Sequence, residues 1–127
     1  MSIEIPKQKW RQFFQDVSKR RFAWETKIEV DAKIEGLRVL SNGLYLNGVA
    51  YEERSGTSEI EISVSKNKKH HQLHSVTDPV RVEYSSDDKY HDSWIEISDS
   101  DGTRTILRIF NPMPIMVGDA AYDTIPT

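Results

Sequence analysis

The chain has 127 residues, of which 37% are hydrophobic and 29% charged, a size and composition typical of one folded domain. It contains no cysteine, which excludes disulfides, a thiol nucleophile and a thiolate zinc site. No segment has the roughly 18 successive apolar residues of a membrane-spanning helix, and residues 1–11 lack the apolar stretch of a signal peptide. We therefore expect a cytoplasmic protein that does not insert into a membrane.

The formal net charge of −3 is unevenly distributed along the chain. Residues 1–21 hold six Lys or Arg against two acids, a charge of +4, which leaves −7 for residues 22–127. Clustered basic residues can neutralise nucleic-acid phosphates or an anionic membrane. The whole chain does not have the net positive charge that is typical of a nucleic-acid-binding domain. We therefore interpret the basic segment as a solvated helix face and expect no nucleic-acid partner.

The N-terminal segment has the periodicity of a helix. Pro6 suits a first helical turn, and apolar side chains recur every three or four residues at Trp10, Phe13, Phe14 and Val17. This spacing predicts one amphipathic helix from Lys7 to about Arg20. Its aromatic stripe needs a broad apolar surface to pack against, and a sheet provides one.

From Phe22 onward the hydrophobic period changes to two, which is typical of strands with one buried face. The first strand is predicted over 22–30, with Phe22, Trp24, Thr26, Ile28 and Val30 on the buried face. Turn signals such as Asn42-Gly43, Asn47-Gly48 and Ser55-Gly56 divide the remainder. Further strands are predicted over 37–40, 44–52, 58–65, 72–76, 80–84, 93–98 and 103–110.

These patterns predict an α+β fold, in which the N-terminal amphipathic helix packs on a curved, mostly antiparallel sheet of about seven strands. If its curvature is strong, such a sheet forms a partial barrel. We expect a single domain over residues 1–110, followed by a C-terminal tail over 111–127.

Several motifs, in this order and spacing, resemble a family of small bacterial proteins catalogued as a domain of unknown function. The motifs are Trp10-x-x-Phe13-Phe14-x-x-Val17-Ser18, a strand opening with Trp24, Leu44-x-Leu46-x-Gly48-Val49-x-Tyr51, His74-x-Val76-x-Asp78-Pro79 and Asp101-Gly102-Thr103-x-Thr105-Ile106-Leu107-Arg108. The resemblance covers about residues 9–110. It implies a single α+β domain and transfers no catalytic or binding residue.

The four histidines are His70, His71, His74 and His91. On an extended strand His70 and His74 share a face, and a third ligand from Asp87, Asp88 or His91 would complete a transition-metal site. The neighbouring Lys66, Lys68 and Lys69 oppose a cation, so we expect no metal. For His74 we expect instead a buried imidazole bonded to backbone near the bend at Asp78-Pro79.

No catalytic motif is present. Asp99-x-Asp101-Gly102 resembles the start of a calcium loop, but the distal glutamate is missing, and a hairpin turn of type I′ explains it. The chain has no nucleophile elbow, phosphate-binding loop or His-Glu-x-x-His sequence. We therefore expect no enzymatic activity and no cofactor.

The tail over 111–127 combines prolines with apolar residues, so it suits neither a central strand nor a solvated end. It either packs back on its own sheet or docks on a partner through Met113, Ile115, Met116, Val117 and Tyr122. The leading hypothesis is a non-enzymatic cytosolic interaction module, an accessory or regulatory subunit that binds another protein through its tail, the sheet face or an edge strand. The alternative is a small-ligand or metal-binding protein with a site in the curve of the sheet near His74, Tyr84 and Trp94.

Overall fold

The structure, a computed structural model, describes residues 2–19, 25–67, 70–87 and 92–110. These residues form one α-helix and eight strands in a single sheet. The elements are β1 (Ser2–Ile5), a 3-10 turn (Lys7–Lys9), α1 (Trp10–Ser18), β2 (Glu25–Ala32), β3 (Gly36–Arg54), β4 (Thr57–Asn67), β5 (His70–Thr77), β6 (Pro79–Asp87), β7 (Asp92–Asp99) and β8 (Arg104–Phe110). No helix within these residues is long and apolar enough to cross a bilayer.

The strands lie in the order β1-β6-β7-β8-β2-β3-β4-β5, and every neighbouring pair is antiparallel. The mostly antiparallel α+β fold expected from the sequence is confirmed, with eight strands in place of about seven. Two of the predicted ranges, 37–40 and 44–52, form one strand, and the strand that no predicted range covers is β1, which pairs with β6 through Ser2↔Ser85 to Ile5↔Val82. Four residues before a proline are too short for a period-two pattern to reveal a strand.

The sheet is strongly curved but not closed. Only Asp78 separates β5 from β6, although β5 lies at one end of the strand order and β6 lies next to the other end. The sheet must therefore curl to bring these strands together. Two bonds fix the link, since the Asp78 N–H donates to the Ser58 carbonyl at 2.9 Å and the Ser100 N–H donates to the Asp78 carbonyl at 3.0 Å. Within the described residues the end strands β1 and β5 do not pair, so the sheet does not form a barrel.

The core lies inside this curve and is completed by α1. All four residues of the predicted aromatic stripe are buried, namely Trp10, Phe13, Phe14 and Val17. The Trp10 ring packs edge-on against Tyr51 of β3 at 5.3 Å between centroids, and its Nε1 donates to the Ile5 carbonyl at 2.9 Å. The helix therefore bridges β3 and β1, which lie far apart in the strand order. It is shorter than predicted, since its first turn is 3-10 and the described helix ends at Ser18.

The strand β3 corrects the prediction of two short strands over 37–40 and 44–52. It is one strand of 19 residues, and the glycine signals within it mark irregularities in pairing, not turns. Gly43 has a φ of +88°, and the register shifts opposite Thr26/Lys27 and again between Leu46 and Gly48. Glycine permits the positive φ that many bulges require, so the same residue type that ends a strand can also bend one.

Two hairpin turns that contain glycine adopt different backbone conformations. At Ser55-Gly56 both residues have positive φ, 49° and 84°, as a type I′ turn requires. The turn after Asp99 was predicted to be of this type, and that prediction is wrong. Only Gly102 has a positive φ there, and the Asp99 carboxylate accepts bonds from the Asp101 and Thr103 N–H groups at 2.9 and 3.0 Å. A side-chain acceptor thus stabilises a tight turn with one glycine in the left-handed region.

The inner face of β2 agrees with the alternation read from the sequence. Thr26, Ile28 and Val30 are buried, whereas Phe22 and Trp24 lie outside the described residues. The outer face departs from expectation at Glu29, which is only 5% exposed. Its carboxylate pairs with the Arg108 guanidinium of β8, which also lies 5.8 Å from the centre of the Trp94 ring. An ion pair across neighbouring strands lets the acidic side chain remain buried.

Candidate protein-binding edge and adjoining cavity

The strand β3 changes partner along its length. Residues 36–45 pair with β2, whereas residues 45–54 pair with β4 on the opposite side. The pairing with β4 stops at Tyr45↔Ser65, so no described strand pairs with residues 36–44 on that side. We call this segment the open edge. Unpaired strand edges present a row of backbone donors and acceptors that can accept another strand.

Exposed apolar side chains concentrate beside the open edge. Within the described residues, seven large hydrophobic side chains are exposed: Ile34, Leu37, Val39, Leu40, Tyr45, Leu73 and Val80. The first five, which we call the apolar rim, belong to the β2–β3 turn or to the first part of β3. Ile34 at the turn is 99% exposed, and Leu37 is 59% exposed. Isolated exposed apolar residues are ordinary, but a group of them along an unpaired strand makes this segment a candidate contact surface.

A cavity of about 210 Å³ opens where β3 diverges from β4 and β5. It is lined by Ile28, Leu40, Ser41, Val64, Gln72, Leu73 and His74. Its lining includes no Asp, Glu, Lys or Arg. The Ser41 Oγ is buried and has no hydrogen-bond partner within the described part of the chain. The same is true of the Ser65 and Ser93 hydroxyls, which do not line the cavity, so this property does not distinguish the cavity.

His74 is half-buried and lines this cavity from β5. Its Nε2 lies 3.3 Å from the Thr105 Oγ1 on β8, across the curve of the sheet. The expected backbone bond near Asp78 is therefore replaced by a contact with a side chain, because the curl brings β8 opposite β5. Burial lowers the pKa of His74 below its usual value, which favours the neutral imidazole.

Among the described residues, the structure does not bring the predicted ligand His70 to His74. His70 and His71 are exposed, and the His70 N–H donates to the Asn67 Oδ1 at 3.1 Å. Asp88 and His91 lie outside the described residues, as does the side chain of Asp87. Within residues 2–19, 25–67, 70–87 and 92–110, no group of three or more His, Asp or Glu could hold a metal ion.

The predicted ligand site also included Tyr84 and Trp94, and these residues do not line the cavity at His74. Tyr84 is half-buried, with its ring centre 6.1 Å from that of Phe13 on α1. Trp94 lies on the outer face, opposite Arg108 in the β7–β8 pairing. Alternation along β7 buries Ile95 on the inner face and turns Trp94 away from it.

A second, larger concavity of about 500 Å³ lies between α1 and the second half of β3. The Ser18 hydroxyl closes one end, since its Oγ accepts from the Val49 N–H and donates to the Val49 carbonyl, both at 2.9 Å. Near the other end the Tyr51 hydroxyl donates to Glu53, and the Arg11 guanidinium lies 5.8 Å from the Tyr51 ring. Burial and the bond to Glu53 raise the pKa of Tyr51 to about 12. These contacts fix the helix to the strand.

The residues predicted to bind a partner, Met113, Ile115, Met116, Val117 and Tyr122, lie outside the described residues. Conversely, the sequence reasoning did not identify Leu40, Ser41 or Gln72 as site residues. The Asn42-Gly43 pair predicts a turn, so Leu40 is assigned to the end of a short strand and Ser41 to the turn that follows it. No local pattern distinguishes an exposed edge segment from a paired one, because the difference depends on where β4 stops.

Comparison with known proteins adds a family but no activity. Residues 1–116 match a family described as "Family of unknown function (DUF5335)". A protein of Aquifex aeolicus (strain VF5), named "Uncharacterized protein", is 31% identical over 111 residues, which cover 87% of this chain and 94% of that protein. No solved structure matches. The order and spacing of the motifs, the match over most of the chain and the bacterial relative lead to one conclusion: the chain belongs to the family of unknown function DUF5335.

Proposed function

We propose that this protein is a non-enzymatic cytosolic interaction module, an accessory or regulatory subunit, that binds another protein through the open edge of β3. The observation that supports this proposal is the coincidence of two independent features. An unpaired segment of backbone, residues 36–44, lies beside five of the seven exposed large hydrophobic side chains in the described chain. Either feature alone is common on protein surfaces, whereas together they match what strand addition uses.

The chemistry of the edge indicates the kind of partner. Backbone bonds from β3 require an extended segment in the partner, because only an extended chain presents donors and acceptors at the spacing of a strand. The apolar rim favours apolar side chains at alternate positions of that segment. Two charged side chains beside this part of β3 are already paired, Arg38 with Glu35 at 3.2 Å and Asp31 with Arg104. We therefore propose a partner strand that is predominantly apolar.

Leu37→Lys and Val39→Lys test the proposal, because each places a charge in the apolar rim without changing a buried residue. Val80→Lys is the matched control, since Val80 is 61% exposed and lies on β6, which does not pair with β3. A tagged full-length protein is purified from its host, and the proteins bound to it are then measured as purified components. We expect the affinity of a true partner to fall at least tenfold for the rim variants and to stay unchanged for Val80→Lys.

Equal retention of every bound protein by the three variants would contradict strand addition at this edge. Amide hydrogen exchange gives a second readout, because pairing should slow exchange at residues 36–44 when the partner is present. The tail residues Met113, Ile115, Met116, Val117 and Tyr122 stay a separate proposed contact. Replacing Ile115 and Met116 together by Ser tests them without altering the edge.

A further inference from the structure

The open edge contains the pair Asn42-Gly43, and a second Asn-Gly pair, Asn47-Gly48, lies further along the same strand. Asparagine followed by glycine is the dipeptide most prone to spontaneous deamidation, because glycine has no side chain to hinder attack of its own nitrogen on the asparagine side chain. The two pairs lie in different surroundings, and this difference determines which of them reacts.

Deamidation needs water as its co-reactant and no enzyme. The Gly43 backbone nitrogen loses its proton to solvent base and attacks the Asn42 Cγ, and the side-chain nitrogen leaves as ammonia. The resulting succinimide ring takes up one water, which opens it to aspartate or to isoaspartate. Either product replaces a neutral amide by a carboxylate. Because an extended backbone holds the glycine nitrogen away from Cγ, the segment must open locally before the ring can form.

Little structure opposes such opening at Asn42-Gly43. Both residues are exposed, and Gly43 has no cross-strand partner on β2, because the register steps from Lys27↔Asn42 to Thr26↔Leu44. On the other side of this segment the described chain provides no strand, since both residues belong to the open edge. Within the described residues the Asn42 side chain makes no hydrogen bond. The pair is therefore free of the contacts that would hold it in the unreactive geometry.

Asn47-Gly48, by contrast, is held by several contacts. The Asn47 Nδ2 donates to the Ser63 Oγ of β4 at 3.0 Å, and Gly48 pairs with Ser63 in the β3–β4 register. The helix also covers this position, because a Cβ at Gly48 would lie 3.6 Å from the Ser18 Oγ. Ring formation at Asn47 must first break these contacts. The second pair is thus a protected control within the same strand.

We propose that Asn42-Gly43 is a deamidation site, at which spontaneous conversion of Asn42 places a negative charge within the open edge. An aspartate at this position lies opposite Lys27 on β2, and opposite charges so placed stabilise a strand pair. A partner strand at the edge instead meets an uncompensated charge beside the apolar rim. Isoaspartate also lengthens the backbone by one carbon, which disturbs the spacing of its donors and acceptors. The effect on binding rests on the proposed function, whereas the modification does not.

Ageing of the purified full chain at mildly alkaline pH, followed by peptide mapping with mass spectrometry, measures both sites in one sample. Conversion at Asn42 should be at least tenfold faster than at Asn47, a difference of about 1.4 kcal/mol in the cost of reaching the reactive geometry. In urea the two rates should converge, because unfolding removes the protection of Asn47. Equal rates in the folded protein, or a difference that persists in urea, would overturn the proposal.

Binding before and after ageing tests the consequence, with the partner captured in the strand-addition experiment. Aged wild-type protein should lose at least tenfold in affinity at an unchanged melting temperature. Asn42→Gln should lose none relative to its own fresh sample, because its longer side chain does not form the five-membered ring. Equal loss in both proteins would refute an effect of Asn42. Failure of the proposed function is distinguishable, because the mapping experiment needs no partner.

Discussion

Replacing Phe14 by Ala should remove a large part of the stability of this protein. Phe14 is 1% exposed and lies in the stripe by which α1 packs on the curved sheet, with its ring centre 5.3 Å from that of Phe13. Truncating a buried Phe to Ala costs about 3–5 kcal/mol, because transfer energy is lost and a cavity remains. Domains of this size have a total stability of about 5–15 kcal/mol, so the variant should remain folded but with a much smaller margin.

Urea unfolding measures this loss directly. With a slope of about 2 kcal/mol per molar urea, a loss of 4 kcal/mol moves the midpoint down by about 2 M. Leu73→Ala is the control, because Leu73 is 63% exposed and its truncation should cost less than about 0.5 kcal/mol. A loss below about 1 kcal/mol for Phe14→Ala, at an unchanged slope, would refute the assignment of this stripe to the core.

Three further predictions follow from individual contacts. Ser18→Ala should cost about 1–3 kcal/mol in urea unfolding, because it leaves the backbone donor and acceptor of Val49 without their partner; a neutral effect would show that water replaces the hydroxyl. Since burial lowers the pKa of His74, the unfolded chain binds more protons than the folded chain between the folded pKa and about 6.5, so stability should fall as pH decreases through that window. His74→Gln should reduce this pH dependence of the melting temperature, whereas His70→Gln, at an exposed position, should not. Spectrophotometric titration of tyrosinate should show a group with a pKa of about 12 that is missing in Tyr51→Phe; an unchanged titration curve would contradict the assigned environment.

The local periodicity of the sequence determined which residues form the helix stripe and most of the strand faces. Trp10, Phe13, Phe14 and Val17 are buried, as their spacing predicts, and so are Thr26, Ile28 and Val30. These assignments succeed because the face that a side chain occupies depends on the 3.6-residue or two-residue repeat of its own element. The family could likewise be identified from motifs spread over the chain.

Tertiary structure alone decided the features on which the proposed function depends. Whether residues 36–44 are paired is set by the end of β4, and the burial of Glu29 is set by Arg108, 79 residues further along the chain. His74 meets Thr105 because the sheet curls, and the curl follows from the strand order. Each of these properties arises from pairing between segments that are distant in the sequence. Such pairing produces no periodic pattern of residues in either segment. The sequence therefore determined the buried faces, whereas the open edge and its cavity arise only when the strands assemble.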